Sequence, residues 1–349
     1  MTEITLGEAR DIFVSSEKIL ILSHYRPDGD CVGCAAALAL AARKLGKKAY
    51  AADSDEIPQK LRFIVDLPCD PVYSLAGEDP EAAKDAVSAF APDLIMSADI
   101  AETSLLGRYE DIFKDRIKLK IDHHPPRSQF AEYDYVDDTA SSCAQIIYRM
   151  LQPLGVIDAD IASALYAGII SDSGNFKYPD VTSETHRVAA ELIDLGVRHA
   201  DINERLFGKR TRGEVEALRL ALDTLEFFTV YSQACGAVSC GMVSMTGDDL
   251  RDYGIKDDDL GEIHSFPRDI EGVDIGILLR QITSENNMYK LSLRSDRTDV
   301  SKICEHLDGG GHSRASGGRI YAQSLDAAVK QIMSAISEYA APITDETQS

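Results

Sequence analysis

The chain has 349 residues, of which 44% are hydrophobic and 27% charged, a composition typical of globular rather than disordered proteins. At about 150 residues per domain this length predicts two domains, and such a chain can bury a large core without disulfides. The net charge of −22 argues against a protein that coats long nucleic acids through a basic face.

The sequence lacks the features of a membrane span and of a secretory signal. Its longest apolar run, residues 34–42, is far shorter than the roughly 20 residues that a membrane helix needs. The first ten residues have neither the basic nor the apolar region of a signal peptide. The seven cysteines lie mostly among alanines and valines, which favours reduced thiols. We therefore expect a cytoplasmic protein without membrane contact.

The first 185 residues alternate short apolar runs with alanine-rich amphipathic segments. The apolar runs predict strands at residues 18–23, 47–52, 93–98 and 117–121. The amphipathic segments predict helices at residues 31–46, 81–90, 141–154 and 160–170. This alternation predicts an α/β fold in which a doubly wound, mainly parallel sheet is covered by helices on both faces.

The pattern of residues 182–227 is almost wholly helical. Ser183 is expected to cap the first helix of this region, which ends at Gly196. The segment EVEALRLALDTLEFF, residues 214–228, predicts a long amphipathic helix between two domains.

The last third of the chain predicts a smaller α+β domain with a mixed or antiparallel sheet. Its predicted strands and final helix are residues 237–245, 273–283, 288–294 and 325–339. We accordingly predict a catalytic domain, a helical linker, a second domain and a flexible tail, with boundaries at residues 1–190, 191–222, 223–341 and 342–349.

Four clusters of polar side chains could carry chemistry, and three of them lie at the carboxyl end of a predicted strand. The clusters are His24 with Asp28 and Asp30, Asp99 alone, Asp122 with His123 and His124, and Asp172 after an apolar helix. Because ligands of parallel α/β sheets bind outside the carboxyl ends of the strands, we expect these side chains to converge.

The convergent residues include two imidazoles and four carboxylates that suit a pair of divalent cations. Two cations about 3.5–4 Å apart, sharing a bridging carboxylate, promote displacement at phosphorus. The mixed donors favour Mn²⁺ over Mg²⁺, with Mg²⁺ or Co²⁺ as substitutes. Alternatively, Asp30 could cap the helix that follows it, and Asp172 could form a turn with Gly174. The presence of four such clusters favours the metal site.

These motifs resemble those of the DHH phosphoesterase superfamily. The matching segments are HxxxDxD at residues 24–30, the lone Asp99, the triplet at 122–124 and SDSGNF at 171–176. The segment GGGHSRASG, residues 309–317, resembles the glycine-rich motif of the DHH-associated domain in the RecJ-like branch. The resemblance covers residues 19–340 and implies an N-terminal DHH domain that binds metal and a C-terminal domain that binds substrate.

The resemblance also implies roles for individual residues. Two Mn²⁺ ions per active site would share the bridging Asp99, which we count among the catalytic residues. Their other ligands would be His24 and Asp28 for one ion, and Asp30, His123 and Asp172 for the other.

Two further residues of the triplet have implied roles outside the metal shell. His124 would face the substrate phosphate as an electrostatic stabiliser or as the general acid for the leaving oxygen. Asp122 would orient an imidazole.

The C-terminal motif has the chemistry of a phosphate-binding loop. Gly309, Gly310 and Gly311 let the backbone approach a phosphate closely and offer N–H donors. His312 and Arg314 add cationic donors, and Arg294, at the end of a predicted strand, is a second phosphate or base contact. A plain glycine turn and a solvated surface arginine remain alternatives. His186, His199, His264 and His306 belong to no motif and are expected to be surface or core residues.

Small members of the family act on short nucleotides, and the charge distribution favours such substrates. Residues 248–274 hold ten acidic side chains against three basic ones, whereas residues 290–319 hold six basic against four acidic. Since the acidic surface would repel distal phosphates, we expect hydrolysis of RNA of about two to five nucleotides, such as pApA, and of 3′-phosphoadenosine 5′-phosphate (pAp), but not of long nucleic acid. Cyclic di-AMP phosphodiesterase activity and a catalytically silent nucleotide sensor are the alternatives, and the resemblance implies a homodimer.

Overall fold

A computed structural model describes residues 2–66, 73–125, 128–282 and 287–343. The chain divides into two units, residues 1–209 and 210–349. The predicted linker, residues 191–222, spans this division, and the domain boundaries stay predictions. Of the predicted tail, only Pro342 and Ile343 lie within the described residues.

Strands and helices alternate along the first unit. Its strands are β1 (Thr2–Glu3), β2 (Lys18–Leu22), β3 (Lys48–Asp53), β4 (Tyr73–Ala76), β5 (Leu94–Ala98), β6 (Leu119–Asp122) and β7 (Tyr133–Val136). Its α-helices are α1 (Leu6–Ser15), α2 (Gly29–Lys44), α3 (Arg62–Val65), α4 (Pro80–Phe90), α5 (Glu110–Phe113), α6 (Cys143–Leu151), α7 (Ala159–Asp172), α8 (Ser183–Asp194) and α9 (His199–Asn203). Shorter helical turns occupy Thr103–Tyr109, Gln152–Leu154 and Glu204–Gly208.

The seven described strands of this unit form one parallel sheet in the order β1-β7-β6-β5-β2-β3-β4. Successive residues of β2 point to opposite faces, so Ile19 and Ile21 pack with α1, α2, α6 and α7, whereas Leu20 and Leu22 pack with α4 and α5. The predicted doubly wound sheet is confirmed. Because β6, β5 and β2 are neighbours, their carboxyl ends meet at one edge.

Helix α2 begins beside that edge, and its N-cap is not Asp30, the residue named in the alternative interpretation of the sequence. Asp28, not Asp30, caps the helix, since its Oδ1 accepts hydrogen bonds from the backbone N–H of Asp30 and Cys31 at 3.0 and 3.1 Å. Farther along the same chain, Thr182 rather than Ser183 caps α8. In both cases the cap is the last extended residue before the helix, which composition alone does not locate.

The second unit is built around a sheet with helices on both faces. Its strands are β8 (Glu226–Ser232), β9 (Gly236–Met245), β10 (Ile275–Gln281), β11 (Met288–Arg294), β12 (Thr298–Asp299), β13 (Gly310–Gly311), β14 (Ala315–Tyr321) and β15 (Ala341–Pro342). Its α-helices are α10 (Arg212–Asp223), α11 (Gly247–Asp252), α12 (Ser301–Glu305) and α13 (Leu325–Tyr339), and short 3₁₀ helices occupy Asp257–Leu260 and Glu262–His264.

The main sheet of this unit has the strand order β13-β14-β11-β10-β9-β8, and a small pair joins β12 to β15. Strands β9 and β10 are parallel and the other neighbours antiparallel, so the sheet is mixed. One face packs against α12 and α13, and the opposite face packs against α10, α11 and the 3₁₀ helices.

The predicted long helix at residues 214–228 is wrong in its last turn. Helix α10 ends at Asp223, and β8 begins at Glu226. The segment FFTVY alternates, with Phe228 and Val230 facing the core. Aromatic and β-branched side chains of this period favour a strand, and pairing with β9 outweighs the weaker helical preference.

Within the described residues, none of the helices combines the length and the apolar character that a membrane span requires.

Candidate metal centre

Adjacent strands position the polar clusters of the first unit. His24 follows β2, Asp99 follows β5, and His123 and His124 follow β6. Asp99 has a left-handed backbone conformation, with φ of 63°, and its N–H donates to Ile121 O at 3.0 Å. Aspartate is one of the few residues besides glycine that adopt this conformation readily. The chain therefore turns sharply after β5 and places the carboxylate between its neighbours.

Asp99 lies at the centre of the group, and its two oxygens face different imidazoles. Asp99 Oδ2 is 3.6 Å from His24 Nε2, and Asp99 Oδ1 is 3.5 Å from His123 Nε2. His24 Nε2 also lies 3.7 Å from Asp28 Oδ1. This geometry places one carboxylate between two separate sets of ligand atoms.

Backbone carbonyls orient both imidazoles. His24 Nδ1 donates to Tyr25 O at 3.0 Å, and His123 Nδ1 donates to Ala140 O at 3.2 Å. A histidine whose Nδ1 is held in this way presents Nε2 to a metal. Both Nε2 atoms accordingly face Asp99.

Helices α2 and α7 contribute the other carboxylates. Asp30 is fully buried, and its Oδ2 and Oδ1 accept from the N–H groups of Cys143 and Ala144 at 2.7 and 3.0 Å. Asp172 ends α7, with its Oδ2 3.2 Å from His123 Nε2.

Three groups each have ligand atoms within 4.8 Å of one another: Asp30, His123 and Asp172; Asp99, His123 and His124; and His24, Asp28 and Cys31. The first two groups share His123, and the contact between His24 and Asp99 joins the third to them. All the predicted ligands thus lie together, and their role as ligands stays a prediction. Cys31, in the first turn of α2, is an added neighbour.

The crowding of carboxylates changes their protonation. Burial and then the Asp99 carboxylate raise the pKa of Asp30 to about 8, and burial and then Asp30 raise the pKa of Asp172 to about 8. Burial would raise the pKa of Asp99 as well, but the imidazoles of His123 and His24 hold it below its usual value. Without cations, the buried carboxylates repel one another.

The imidazoles shift in the complementary direction. Burial alone would lower the pKa of His123, but Asp99, Asp30 and Asp172 raise it to about 10. Burial would also lower the pKa of His24, but its interactions with Cys31, Asp28 and Asp99 outweigh this effect. The pKa of His24 therefore lies well above its usual value.

Two buried atoms fit the binding of a cation. Neither Asp99 Oδ1 nor His123 Nε2 has a hydrogen-bond partner among the described residues, although both atoms are buried. Buried polar atoms are otherwise nearly always paired. A carboxylate oxygen and an imidazole nitrogen that face each other without a hydrogen bond are suited to act as ligands of a divalent cation.

His124 lies at the edge of this group, with 44% of its side chain exposed. Its Nδ1 donates to Asp122 Oδ1 at 2.9 Å, and this hydrogen bond is the main reason for its raised pKa. Asp122 Oδ1 also accepts from the N–H of His123 at 2.9 Å. Asp122 Oδ1 therefore contacts both histidines of the triplet, and its role in orienting an imidazole stays a prediction.

Sequence reasoning missed Lys120, which is 1% exposed and lies 3.6 Å from Asp122 Oδ2. Its signal was a lysine inside the apolar strand IKLKI, two residues before Asp122. Residues at this spacing project to the same face of a strand, so an ion pair could have been expected.

The predicted substrate-binding residues other than His124 lie together in the second unit. Gly310 and Gly311 form β13, which pairs with β14, and Arg294 lies opposite Ala315. A Cβ atom at Gly309 would lie 2.0 Å from Gly317 O, so only glycine fits there. Hydrogen bonds between His312 and Ala315 close the hairpin.

The two arginines of this region hydrogen-bond to the backbone near the hairpin. Arg314 Nη1 donates to Asp296 O at 3.1 Å. Arg294 is half-buried and donates to Ser292 Oγ and Leu293 O at 3.1 and 2.9 Å. Arg294 has no ion pair in the described part of the chain, so its charge is available for an anion.

Two family models match this chain. The model of the DHH family, N-terminal domain, matches residues 18–169, and the model of the DHHA1 domain matches residues 239–338. The first match contains the predicted metal-site residues except Asp172, and the second contains the glycine-rich hairpin.

Similar proteins match over most of the chain. The bifunctional oligoribonuclease and PAP phosphatase NrnA of Thermus thermophilus is 31% identical over 92% of this chain and 89% of its own length. The protein of that name from Bacillus subtilis is 26% identical over 87% of this chain and 90% of its own length. The solved structure of an exopolyphosphatase-related protein from Bacteroides fragilis covers 95% of this chain and 96% of that chain with a TM-score of 0.83 at 21% identity, which shows a shared fold.

Proposed function

The chain belongs to the DHH family of phosphoesterases, carries a DHHA1 domain and is a hydrolase of phosphoester bonds, and within this class we propose that it degrades very short oligoribonucleotides such as pApA and also hydrolyses pAp. The names of the relatives in Thermus thermophilus and Bacillus subtilis support both activities. The acidic surface of the chain supports the restriction to short substrates.

The observation that carries the proposal is the position of Asp99 between two sets of ligand atoms. His24, Asp28 and Asp99 would hold one divalent cation. The second would be held by Asp30, Asp99, His123 and Asp172. Two Mn²⁺ ions bound there would ionise a water near neutral pH and neutralise the phosphate oxygens. The mixed imidazole and carboxylate donors support Mn²⁺, with Mg²⁺ or Co²⁺ as substitutes.

His124 is suited to protonate the leaving oxygen. Its Nδ1–H is committed to Asp122, and its raised pKa favours the imidazolium form, which leaves Nε2–H as a free donor. The partial exposure of the side chain allows contact with a substrate. Asp122 acts through His124 and is a positioning residue.

The hairpin of the second unit is suited to hold a phosphate. Gly310 is exposed, and a Cβ atom there would meet nothing within 4 Å, so the backbone is open to a ligand. Arg294, His312 and Arg314 border this backbone. We assign to this group the phosphate at the end of the substrate.

A substrate panel tests the proposal. Purified protein with Mn²⁺ is offered pApA, pAp, cyclic di-AMP, RNAs of five and 24 nucleotides, and pyrophosphate, and initial rates are compared. We expect fast hydrolysis of pApA and the short RNA, slower hydrolysis of pAp, and little of the rest. Equal rates on the short and long RNA would contradict the restriction to short substrates, and a preference for cyclic di-AMP would replace the proposed substrate.

The Asp99→Asn variant tests the bridging carboxylate in the same panel. Asparagine tolerates the left-handed backbone, so the variant should fold while activity falls by at least about a hundredfold. Asp93→Asn is the matched control, because Asp93 precedes the other end of β5 and accepts from the N–H of Lys18. Full activity of Asp99→Asn would exclude the bridge.

A further inference from the structure

A buried thiol lies beside the half of the metal centre that has fewer carboxylates. Cys31 is the third residue of α2 and is fully buried. Its Sγ lies within 4.8 Å of a ring nitrogen of His24 and of a carboxylate oxygen of Asp28. A cation bonded to nitrogen or oxygen at about 2.0–2.2 Å and to sulfur at about 2.3 Å spans nearly this separation. Small side-chain movements are therefore enough for the three atoms to share one cation.

The start of α2 determines where the sulfur points. Asp28 caps the helix, and its Oδ1 accepts a hydrogen bond from the N–H of Cys31 at 3.1 Å. Side chains of a helix lean toward its N-terminus, and Cys31 Sγ accordingly lies 3.7 Å from Asp28 O. A thiol is only a weak hydrogen-bond donor, so this contact is given up at little cost. The sulfur is thus held near His24 and Asp28 without a strong bond that would compete with a cation.

The two proposed cation positions are unequal unless the sulfur is counted. The second position has two carboxylates of its own, Asp30 and Asp172, whereas the first has only Asp28. Both share Asp99 and both have one imidazole. A thiolate at Cys31 would give the first position its second anionic ligand. Each position would then have four protein ligands, one of them the shared carboxylate.

The donor atoms of the two positions would then differ in softness. Thiolate sulfur selects Zn²⁺ over the harder cations Mn²⁺ and Mg²⁺, which are suited to oxygen ligands. Four protein ligands that include cysteine and histidine are typical of bound Zn²⁺. The second position has carboxylate and imidazole donors alone. The two halves of the centre therefore differ in the metal that they favour.

We propose that Cys31 is a ligand of the first cation, and that its sulfur shifts this position toward Zn²⁺ while the second position keeps Mn²⁺. The inference rests on the two-cation centre of the proposed function and specifies its metals. When the cation binds, a metal–sulfur bond replaces the S–H bond and the proton passes to solvent. Removal of the sulfur should therefore weaken Zn²⁺ binding at one of the two positions and change Mn²⁺ binding little.

Cobalt reports a sulfur ligand directly, because Co²⁺ bound by a thiolate has an intense charge-transfer absorption in the near ultraviolet. The metal-free full-length protein is titrated with Co²⁺ as wild type, Cys31→Ser and Cys34→Ser. The absorption should appear in the wild type and in Cys34→Ser and be absent from Cys31→Ser. Its absence from the wild type, or its persistence in Cys31→Ser, would overturn the proposal.

Cys34→Ser is the matched control on the same helix. Cys34 is also a fully buried thiol of α2, and it belongs to none of the potential metal-binding groups among the described residues. Its Sγ lies 3.7 Å from Asp30 Oδ1, so this variant also tests whether the second position takes the sulfur instead. Loss of the absorption in Cys34→Ser alone would overturn the assignment to Cys31.

Metal affinities distinguish coordination from packing. Dissociation constants for Zn²⁺ and Mn²⁺ are measured by competition with a chelator, and wild type is compared with Cys31→Ser for each metal. The variant should bind one of two Zn²⁺ equivalents about 10- to 100-fold more weakly and Mn²⁺ within about threefold of the wild type. Retained Mn²⁺ binding shows that the variant is folded. Equal losses for the two metals would mean that Cys31 only packs against His24, and would overturn the proposal.

Neither measurement needs a substrate, which separates this inference from the proposed function. A protein that has the Co²⁺–thiolate absorption but does not hydrolyse pApA would retain the sulfur ligand and lose the proposed activity. A protein that hydrolyses pApA without this absorption would retain the activity and lose the sulfur ligand.

Discussion

At the scale of single residues, a buried ion pair supports the most exposed imidazole of the metal centre. Lys120 Nζ lies 3.6 Å from Asp122 Oδ2 and 5.0 Å from the centre of the Phe130 ring. The other oxygen of this carboxylate, Asp122 Oδ1, accepts the hydrogen bond from His124 Nδ1 at 2.9 Å. Lys120 therefore contacts the same carboxylate that orients the His124 ring.

We predict that Asp122→Asn lowers kcat for pApA by about 10- to 100-fold with KM changed less than about twofold. Asparagine leaves Lys120 unpaired and His124 without its anionic partner, so the imidazolium is less stable and less well oriented. Steady-state kinetics measure both constants. Asp134→Asn is the matched control, because Asp134 is a buried neighbour of Lys120 on β7. A wild-type kcat in Asp122→Asn would refute the positioning role.

At the scale of secondary-structure elements, close packing of α2 against α7 brings Asp30 and Asp172 together. A Cβ atom at Gly33 of α2 would lie 2.5 Å from Ala164 O of α7, which is backbone and does not yield easily. A Cβ atom at Gly168 would lie 2.7 Å from Asp30 Oδ1. These glycines let the helix axes approach, and the approach determines the spacing of the metal centre.

We predict that Gly33→Ala destabilises the protein by about 1–3 kcal/mol through overpacking and weakens Mn²⁺ binding. Thermal unfolding and metal titration provide the measurements. Gly7→Ala is the control, since α1 has room for a methyl group there, with its nearest neighbours at 3.8 Å. That variant should gain up to about 1 kcal/mol of stability from helix propensity. An unchanged melting temperature in Gly33→Ala would mean that the helices can separate without cost.

Most of these elements could be predicted from the sequence, but some of their contacts and ends could not. Apolar runs predicted the central strands, because a strand buried on both faces must be apolar throughout. Most of the metal-centre residues could be recognised because they come directly after an apolar strand in the sequence. The contacts of Asp30 with Cys143 and Ala144 were not, since they join positions 113 and 114 residues apart. The sequence prediction extended α10 too far, because residues 226–228 are compatible with both helix and strand. Pairing with β9 favours the strand.

At the scale of the whole molecule, the metal centre couples folding to pH. Asp30 and Asp172 have pKa values near 8 in the folded protein, far above those of exposed carboxyls, and the pKa of His123 is about 10. The metal-free folded chain therefore binds more protons than the unfolded chain across neutral pH. The stability that these protons confer is present in acid and is lost as pH rises through 8.

We predict that the melting temperature of the metal-free protein falls between about pH 6 and pH 8.5, and that Mn²⁺ raises it more at the higher pH. The cations bind the deprotonated carboxylates and imidazoles, so they bind more tightly where those protons have left. Calorimetry in EDTA and in excess Mn²⁺ at both pH values makes the comparison. A larger stabilisation by Mn²⁺ at pH 6 would contradict the assignment of these groups as ligands.

The left-handed backbone of Asp99 also limits which amino acids can replace it during evolution. Most side chains are strained at φ of 63°, whereas glycine and asparagine are accepted with little cost. A descendant that abandons catalysis but keeps this fold would therefore reach asparagine or glycine at position 99 more easily than any bulky residue. In related chains, those two residues at this turn would distinguish nucleotide sensors from working hydrolases.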